Sequence, residues 1–200
     1  MTSETAEPVD PFPGMKFGTI LVDPPWNYKR PSKSERLTGY SSGVEYEPLT
    51  TPDLAALPVG DYAADNGILI LWTTWPFLDD ALWIIGQWGY QYITGLPWLK
   101  VTRNEKLIYG VGYWMRGVSE VVLIAKRPGA PSVRSNFIGL LSQSLSHSRK
   151  PVNIYELANT YPEPRLELFA RELQPGWVGL GDELPGDERD IRASLIPRRT

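Results

Sequence analysis

Four short apolar runs constrain the fold of this chain more than any other feature. "FGTILV" (17–22), "GILILW" (67–72), "SEVVLIAK" (119–126) and "RLELFA" (165–170) read as strands buried in a sheet. Helical patterns lie between them. "FLDDALWIIGQWG" (77–89) puts Leu78, Leu82, Ile85 and Trp88 at helical spacing, with Gly89 as the stop. Thr51-Pro52-Asp53 reads as N-cap, first-turn proline and first-turn acid, opening a short helix through Leu57. "PVNIYELANTY" (151–161) again has a proline at its expected first turn. "YQYITGLPWLKV" (90–101) reads as an extended segment broken near Pro97. Strands alternating with helices predict an α/β fold, with a mostly parallel sheet covered on both faces. In such sheets ligands sit beyond the carboxyl ends of the strands.

One strand end stands out. After Ile20–Val22 the chain reads Asp23-Pro24-Pro25-Trp26, followed by Asn27, Tyr28, Lys29 and Arg30. Two prolines stop the strand and stiffen the turn that carries Asp23. The Asp23 carboxylate accepts one N–H of a planar amine. The Pro24 carbonyl meets no N–H from Pro25 and is expected to accept a second, while Trp26 offers a flat face. Two acceptors out of the ring plane favour a pyramidal nitrogen whose lone pair points at an electrophile, a stabilisation realised mainly in the transition state. The plainer reading is a proline-terminated turn with a capping Asp and a core Trp.

Composition narrows the classes. Two hundred residues suit one domain with a substantial core. No run of eighteen apolar residues exists, so no membrane span is expected. The start, "MTSETAEPVD", lacks the basic-then-apolar order of a secretion signal, which predicts an intracellular, cytoplasmic setting. The chain has no cysteine, so disulfides and thiolate metal sites are excluded, and one histidine leaves few ways to build a zinc site. Residues 1–14 and 185–200 read as flexible ends around a single domain over 15–184. The net charge of −3 is unevenly spread. Residues 97–150 carry nine Lys and Arg against two acids, and residues 26–44 carry Lys29, Arg30, Lys33 and Arg36 against Glu35. Local positive charge of this kind attracts phosphates, and the plainer alternative is a solvated loop face.

Asp23-Pro24-Pro25-Trp26 resembles the DPPW signature of the adenine N6-methyltransferases typified by the catalytic subunit of the mRNA adenosine methyltransferase. The likeness continues in family order through "GILILWTT", "WGYQYITGLPWLKV", "GYWMRGVSEVVLIAKRPG", "HSRKP", "LELFAR" and "GWVGLGDEL", over roughly residues 17–184. It implies a Rossmann-like fold, S-adenosylmethionine as methyl donor, and a circularly permuted order in which the catalytic motif precedes the main cofactor segment. It also implies roles for matching residues. Asp23, Pro24, Pro25 and Trp26 become the catalytic turn, with Asp23 also touching the donor. Lys150 meets the donor's carboxylate, a sensible pairing of ammonium and carboxylate. Glu167, Leu168, Phe169 and Arg171 line its ribose and methionine portion, and Asp182 and Glu183 reach its nucleoside end. Relatives often carry amides where Asp182 and Glu183 stand. His147 is left between a structural role and a ligand contact, and Asp10 is a candidate for a donor contact from the N-terminal side.

The substrate follows from the same comparison of residues. Tyr28, Lys29, Arg30, Lys33 and Arg36, with Tyr40 and Tyr46, make a basic, aromatic loop suited to a phosphate-contacting lid over an extruded base. Arg103, Lys106 and Arg116, with Tyr113 and Trp114, form a second such region, although each aromatic taken alone reads as core. The expectation is N6 methylation of adenine in nucleic acid, DNA ahead of RNA, with no metal. A chain of this size leaves little room for a separate recognition domain, so short-site specificity, a homo-oligomer or a recognition partner is expected. The competing readings are a non-catalytic member that binds nucleic acid or supports an active partner, and methylation of a small molecule or protein.

Overall fold

The computed structural model describes residues 10–28, 48–102, 104, 106–110, 114–132, 137, 140–143, 151, 153–185 and 191–195. Among the described residues there are seven strands: β1 (Phe17–Val22), β2 (Ala63–Thr73), β3 (Gln91–Val101), β4 (Ser119–Lys126), β5 (Leu140–Gln143), β6 (Arg165–Leu168) and β7 (Trp177–Leu180). They form one sheet in the order β5-β3-β4-β2-β1-β6-β7. The pairs β1–β2, β1–β6, β6–β7 and β3–β5 are parallel, while β4 runs antiparallel to both its neighbours. Only β4 is reversed, so the sheet is mostly parallel.

Every residue of β1 is buried, because both faces of the sheet are covered. Ile20 and Val22 pack into one core cluster and Leu21 into another, as the twofold alternation of a strand requires; Phe17 joins the first cluster because the register shifts between Phe17 and Thr19. The first cluster takes in the helices α1 (Thr51–Ala55) and α2 (Leu78–Gln87), and the second takes in α3 (Asn153–Ala158). Each fully buried Leu or Ile contributes about 1.5–3 kcal/mol.

The helices correct the sequence reading in detail. α1 starts one residue earlier than expected: Thr50 is the N-cap, and its hydroxyl accepts from the Asp53 N–H at 3.4 Å while the Asp53 carboxylate accepts from the Thr50 N–H at 3.3 Å. The helix also ends at Ala55, short of Leu57. On α2 the buried stripe is Ala81, Ile84 and Ile85, leading to Trp88, while Leu82 is exposed. Trp88 sets this phase, because its indole N–H donates to the Leu54 carbonyl at 3.1 Å. Residues three, four and seven positions before it then face inward, and Leu82, six before it, does not. Gly89 ends the helix with φ +74°, and the Arg127 guanidinium donates to the Trp88 and Gly89 carbonyls at 3.3 and 3.0 Å. Pro151 lies ahead of α3, where its carbonyl accepts from the Ile154 N–H at 3.1 Å.

β3 is not broken at Pro97; it runs unbroken from Gln91 to Val101. Pro97 pairs with Val121 of β4, but the β5 ladder begins only at Trp98. On that side position 97 is still an edge, the setting in which a strand tolerates proline. Residues outside 15–184 also contribute to the packing. Ile191–Leu195 form α4, with Ile191 and Leu195 buried in the first core cluster. Phe12 packs edge-on to Phe17 and Tyr62, at 5.3 and 5.6 Å between ring centres. Among the described residues no helix is long and apolar enough to cross a membrane.

Candidate active site

The register puts Val22, Leu71, Leu168 and Leu180 in one row across β2, β1, β6 and β7, so the residues that follow them meet beyond one sheet edge. β4, being reversed, starts at that edge. A single cleft there is lined from β1, β2, β3, β4, β6 and β7.

The turn after β1 supplies Asp23, Pro24, Pro25 and Trp26. Asp23 is half-buried and its N–H approaches the Leu168 carbonyl at 3.5 Å, extending the β1–β6 ladder by a residue. The Pro24 carbonyl is not free of backbone partners, as the missing Pro25 N–H suggested: it accepts from the Trp26 N–H at 2.9 Å. A carbonyl has two lone pairs, so one remains for a ligand. The Pro25 carbonyl accepts from the Leu49 N–H at 3.0 Å, which ties the turn to the start of α1. Trp26 also departs from expectation. Its ring is only 4% exposed, stacks on Phe77 at 5.1 Å with an 18° interplanar angle, and donates its N–H to the Trp72 carbonyl at 3.1 Å. It therefore touches the cleft with little exposed surface and braces the turn, and its ring is not open as a stacking face. Tyr28 shares a 2.8 Å hydrogen bond with Thr74 through their hydroxyls and meets Phe77 edge-on at 4.9 Å.

β6 and β7 form the second wall. Phe169, Ala170, Arg171, Asp182 and Glu183 line the cleft, whereas Glu167 and Leu168 do not. Leu168 is core, and the buried Glu167 carboxylate accepts the Tyr155 hydroxyl at 3.0 Å on both oxygens. Strand alternation explains the correction: these two side chains project into the layers on either face of the sheet, and only the residues beyond the strand turn into the cleft. Burial, then the charge and hydrogen bond of Glu167, with Asp23 adding to them, push the Tyr155 hydroxyl well above its ordinary range. Tyr155 thus stays a donor to Glu167. Phe169 has φ +61°, a conformation costing an ordinary residue about 1–3 kcal/mol and concentrated at functional sites. Arg171 pairs with Glu183 at 3.3 Å. Such a partly solvated pair is worth only about 0–1 kcal/mol, so a ligand displaces it easily.

The third wall was missed by sequence reasoning. Lys100 forms an ion pair with Glu120, whose other carboxylate oxygen accepts the Trp72 indole N–H at 2.8 Å. The Lys100 ammonium also lies 4.6 Å from the centre of the Trp98 ring. Lys100 and Glu120 are twenty positions apart and entered the reading only as charges within a basic stretch. The signal that joins them is the antiparallel register Trp98↔Glu120 and Leu99↔Ser119, and the expectation of a mostly parallel sheet did not say which strand is reversed.

A model of the MT-A70 family matches residues 17–183, from the first residue of β1 to the last cleft-lining side chain. The chain belongs to the MT-A70 family. Among similar proteins is one named N6-methyladenosine RNA methyltransferase MTA1 from Pyricularia oryzae, 33% identical over 184 residues, covering 84% of this chain and 47% of that protein. A second is Type II methyltransferase M.MunI from a Mycoplasma species, 30% identical over 199 residues, covering 90% of this chain and 82% of the relative. A third, N(6)-adenine-specific methyltransferase METTL4 from Mus musculus, is 26% identical over 191 residues, covering 86% of this chain and 38% of its length. The chain thus spans about half or less of the fungal and mouse relatives and most of M.MunI.

Other expected contacts fall elsewhere. Lys106 and Arg116 do not line the cleft; both lie on the β3–β4 connection, where the Arg116 guanidinium sits 4.9 Å from the Tyr109 ring centre. Trp114, in the same connection, is 98% exposed and is not core. Asp10 is bound at the opposite end of β1, accepting the Phe12 N–H and the Tyr62 hydroxyl, each at 2.9 Å, and makes no contribution to this cleft. Lys29, Arg30, Lys33, Arg36, Tyr40, Tyr46, Arg103, Tyr113, His147 and Lys150 lie outside the described residues. Among the described residues no group of three His, Cys, Asp or Glu is arranged to hold a metal ion.

Proposed function

We propose that this chain transfers a methyl group from S-adenosylmethionine to the exocyclic N6 amine of adenine in nucleic acid. The observation that carries the reading is the cleft itself, in which Asp23 and Pro24 share one opening with Arg171, Asp182 and Glu183. The residues fit the donor's chemistry. Asp182 and Glu183 are exposed acceptors for ribose hydroxyls, Arg171 is a donor beside them, and the resemblance adds Lys150 for the carboxylate. When bound, S-adenosylmethionine supplies a methyl carbon on a sulfonium sulfur that takes up the bonding pair as the nitrogen attacks.

The protein's part is to make a poor nucleophile attack. An aromatic amine delocalises its lone pair into the ring. Asp23 accepts one amine hydrogen, and the second lone pair of the Pro24 carbonyl accepts the other. Held this way, the nitrogen is pyramidal and its lone pair faces the methyl carbon. As the N–C bond forms the nitrogen becomes acidic, and its proton leaves to Asp23 or water. The brace of Trp26 on Phe77 and Trp72 keeps both acceptors fixed, so little reorganisation is needed during the reaction.

DNA is the polymer we favour, because the match to the type II methyltransferase covers 82% of that protein and the match to the RNA enzyme only 47%. The test is labelled methyl transfer to single-stranded DNA, duplex DNA and RNA in parallel, with Asp23→Ala alongside. We expect N6-methyladenine in DNA from the wild type. Asp23→Ala should lose transfer at least about 1,000-fold, the scale of a removed transition-state contact, while calorimetry still registers S-adenosylmethionine. Turnover retained in Asp23→Ala would overturn the mechanism, and label confined to RNA would overturn the choice of polymer.

A further inference from the structure

Trp75 has no role in the chemistry above, yet it is held next to cleft-lining residues. It follows β2 directly and opens the 3-10 turn Trp75–Phe77. The residue is 53% exposed, and its indole donates its N–H to the Ser119 hydroxyl at 2.9 Å. Trp75 and Ser119 do not line the cleft themselves, but each is the sequence neighbour of a residue that does, Thr74 and Glu120 respectively. On the other side of Thr74, Tyr28 is similarly exposed, with its hydroxyl on the Thr74 side chain.

This combination is unusual for a structural tryptophan. Trp26, Trp72, Trp88 and Trp98 are buried, each at 4% exposure or less, and give their apolar area to the core. Trp75 is more than half exposed although its one polar side-chain atom is satisfied. A ligand covering the exposed face gains apolar contact without stripping water from the N–H. The ring is also tethered at its polar corner, so little side-chain freedom is lost on contact. A flat, anchored π-face beside a site for an extruded base matches a nucleobase.

We propose that Trp75 is a stacking platform for the nucleobase next to the target adenine in the substrate strand. This rests on the nucleic-acid reading above. The neighbouring base is the better occupant because Trp75 lies just outside the cleft lining, next to Thr74, while the amine acceptors Asp23 and Pro24 are part of that lining. Leu82 and Trp83 on α2 are exposed as well, so a protein surface is the competing occupant.

The experiment uses the full chain and labelled single-stranded DNA carrying one adenine in a thymine run, intact or with an abasic site on either side of that adenine. Affinity is read by fluorescence anisotropy for wild type, Trp75→Ala and Trp75→Phe. Trp75→Ala should bind the intact strand roughly 5- to 100-fold more weakly, the range for losing one base–aromatic stack. Trp75→Phe should recover most of that loss, and S-adenosylmethionine affinity should stay within about twofold because the donor's residues are untouched. On the strand lacking the contacted base, Trp75→Ala should add no further loss, since platform and base act as one pair. Equal losses on intact and abasic strands would overturn the platform. So would unchanged affinity accompanied by an altered oligomeric state in sedimentation, which would assign Trp75 to a protein contact. If the wild type neither binds nor methylates any strand, the functional reading fails and the platform falls with it.

Discussion

Gly181 shows how much of the site rests on single positions. A Cβ there would stand 1.9 Å from the Ala170 carbonyl oxygen and 2.7 Å from the Ala170 nitrogen. Both are backbone atoms, so no rotamer change relieves the clash. Glycine at 181 therefore allows the ends of β6 and β7 to close together, and it carries Asp182 and Glu183 up to Arg171. Gly181→Ala should lower stability by about 1–3 kcal/mol, measured by urea denaturation. It should also weaken S-adenosylmethionine binding in calorimetry more than it weakens oligonucleotide binding. The DPPW turn was legible at this scale, because two prolines after an apolar run leave an acid few alternatives. The bracing of Trp26 was not, since a tryptophan's identity does not say whether its face is covered.

At the scale of elements, the capping box of α1 links local stability to the site. Thr50 caps the helix, and Leu49 beside it donates to the Pro25 carbonyl at 3.0 Å. Thr50→Ala should cost about 1 kcal/mol and lower the melting temperature by about 2–4 °C. Methyl transfer measured well below that temperature should change little, because Pro24 and Asp23 keep their other restraints. β1 and β4 match their expected bounds residue for residue, since continuous apolar runs with abrupt polar ends leave few choices. The N-cap was displaced by one because Thr50 and Thr51 are chemically identical and adjacent. β5, β7 and α4 had no legible signal: the five residues of α4 complete less than two helical turns, and the four of β5 and of β7 span only two strand periods without a clear polar-apolar alternation.

For the molecule as a whole, alkaline stability follows from buried phenols. Burial is the largest cause that pushes the Tyr62, Tyr90 and Tyr155 hydroxyls upward, with Asp10 adding at Tyr62 and Glu167 at Tyr155. In the unfolded chain these groups ionise near their ordinary value of about 10, while the native state keeps its protons. The unfolded state then binds fewer protons, so stability is fully present below about pH 10 and is lost as pH rises beyond it. Tyr155→Phe should flatten that alkaline loss in urea melts. It should also lower stability near neutrality, because Glu167 loses its buried donor.

By itself the sequence determined that this chain builds a mostly parallel α/β sheet ending in a rigid Asp-Pro-Pro-Trp turn. Those are consequences of local hydrophobic pattern and of backbone restriction by proline, both carried by neighbouring residues. Only the tertiary structure decided which side chains share the cleft. The reversal of β4 brings Ser119 and Glu120 to the edge where the other strands end, and so creates the Lys100–Glu120 pair and the anchor for Trp75. It likewise turned Glu167 and Leu168 inward and left Phe169 and Arg171 to face the site. Strand direction and register are set by pairing between distant segments, and a one-residue slip inverts every side chain, so no local stretch of sequence contains them.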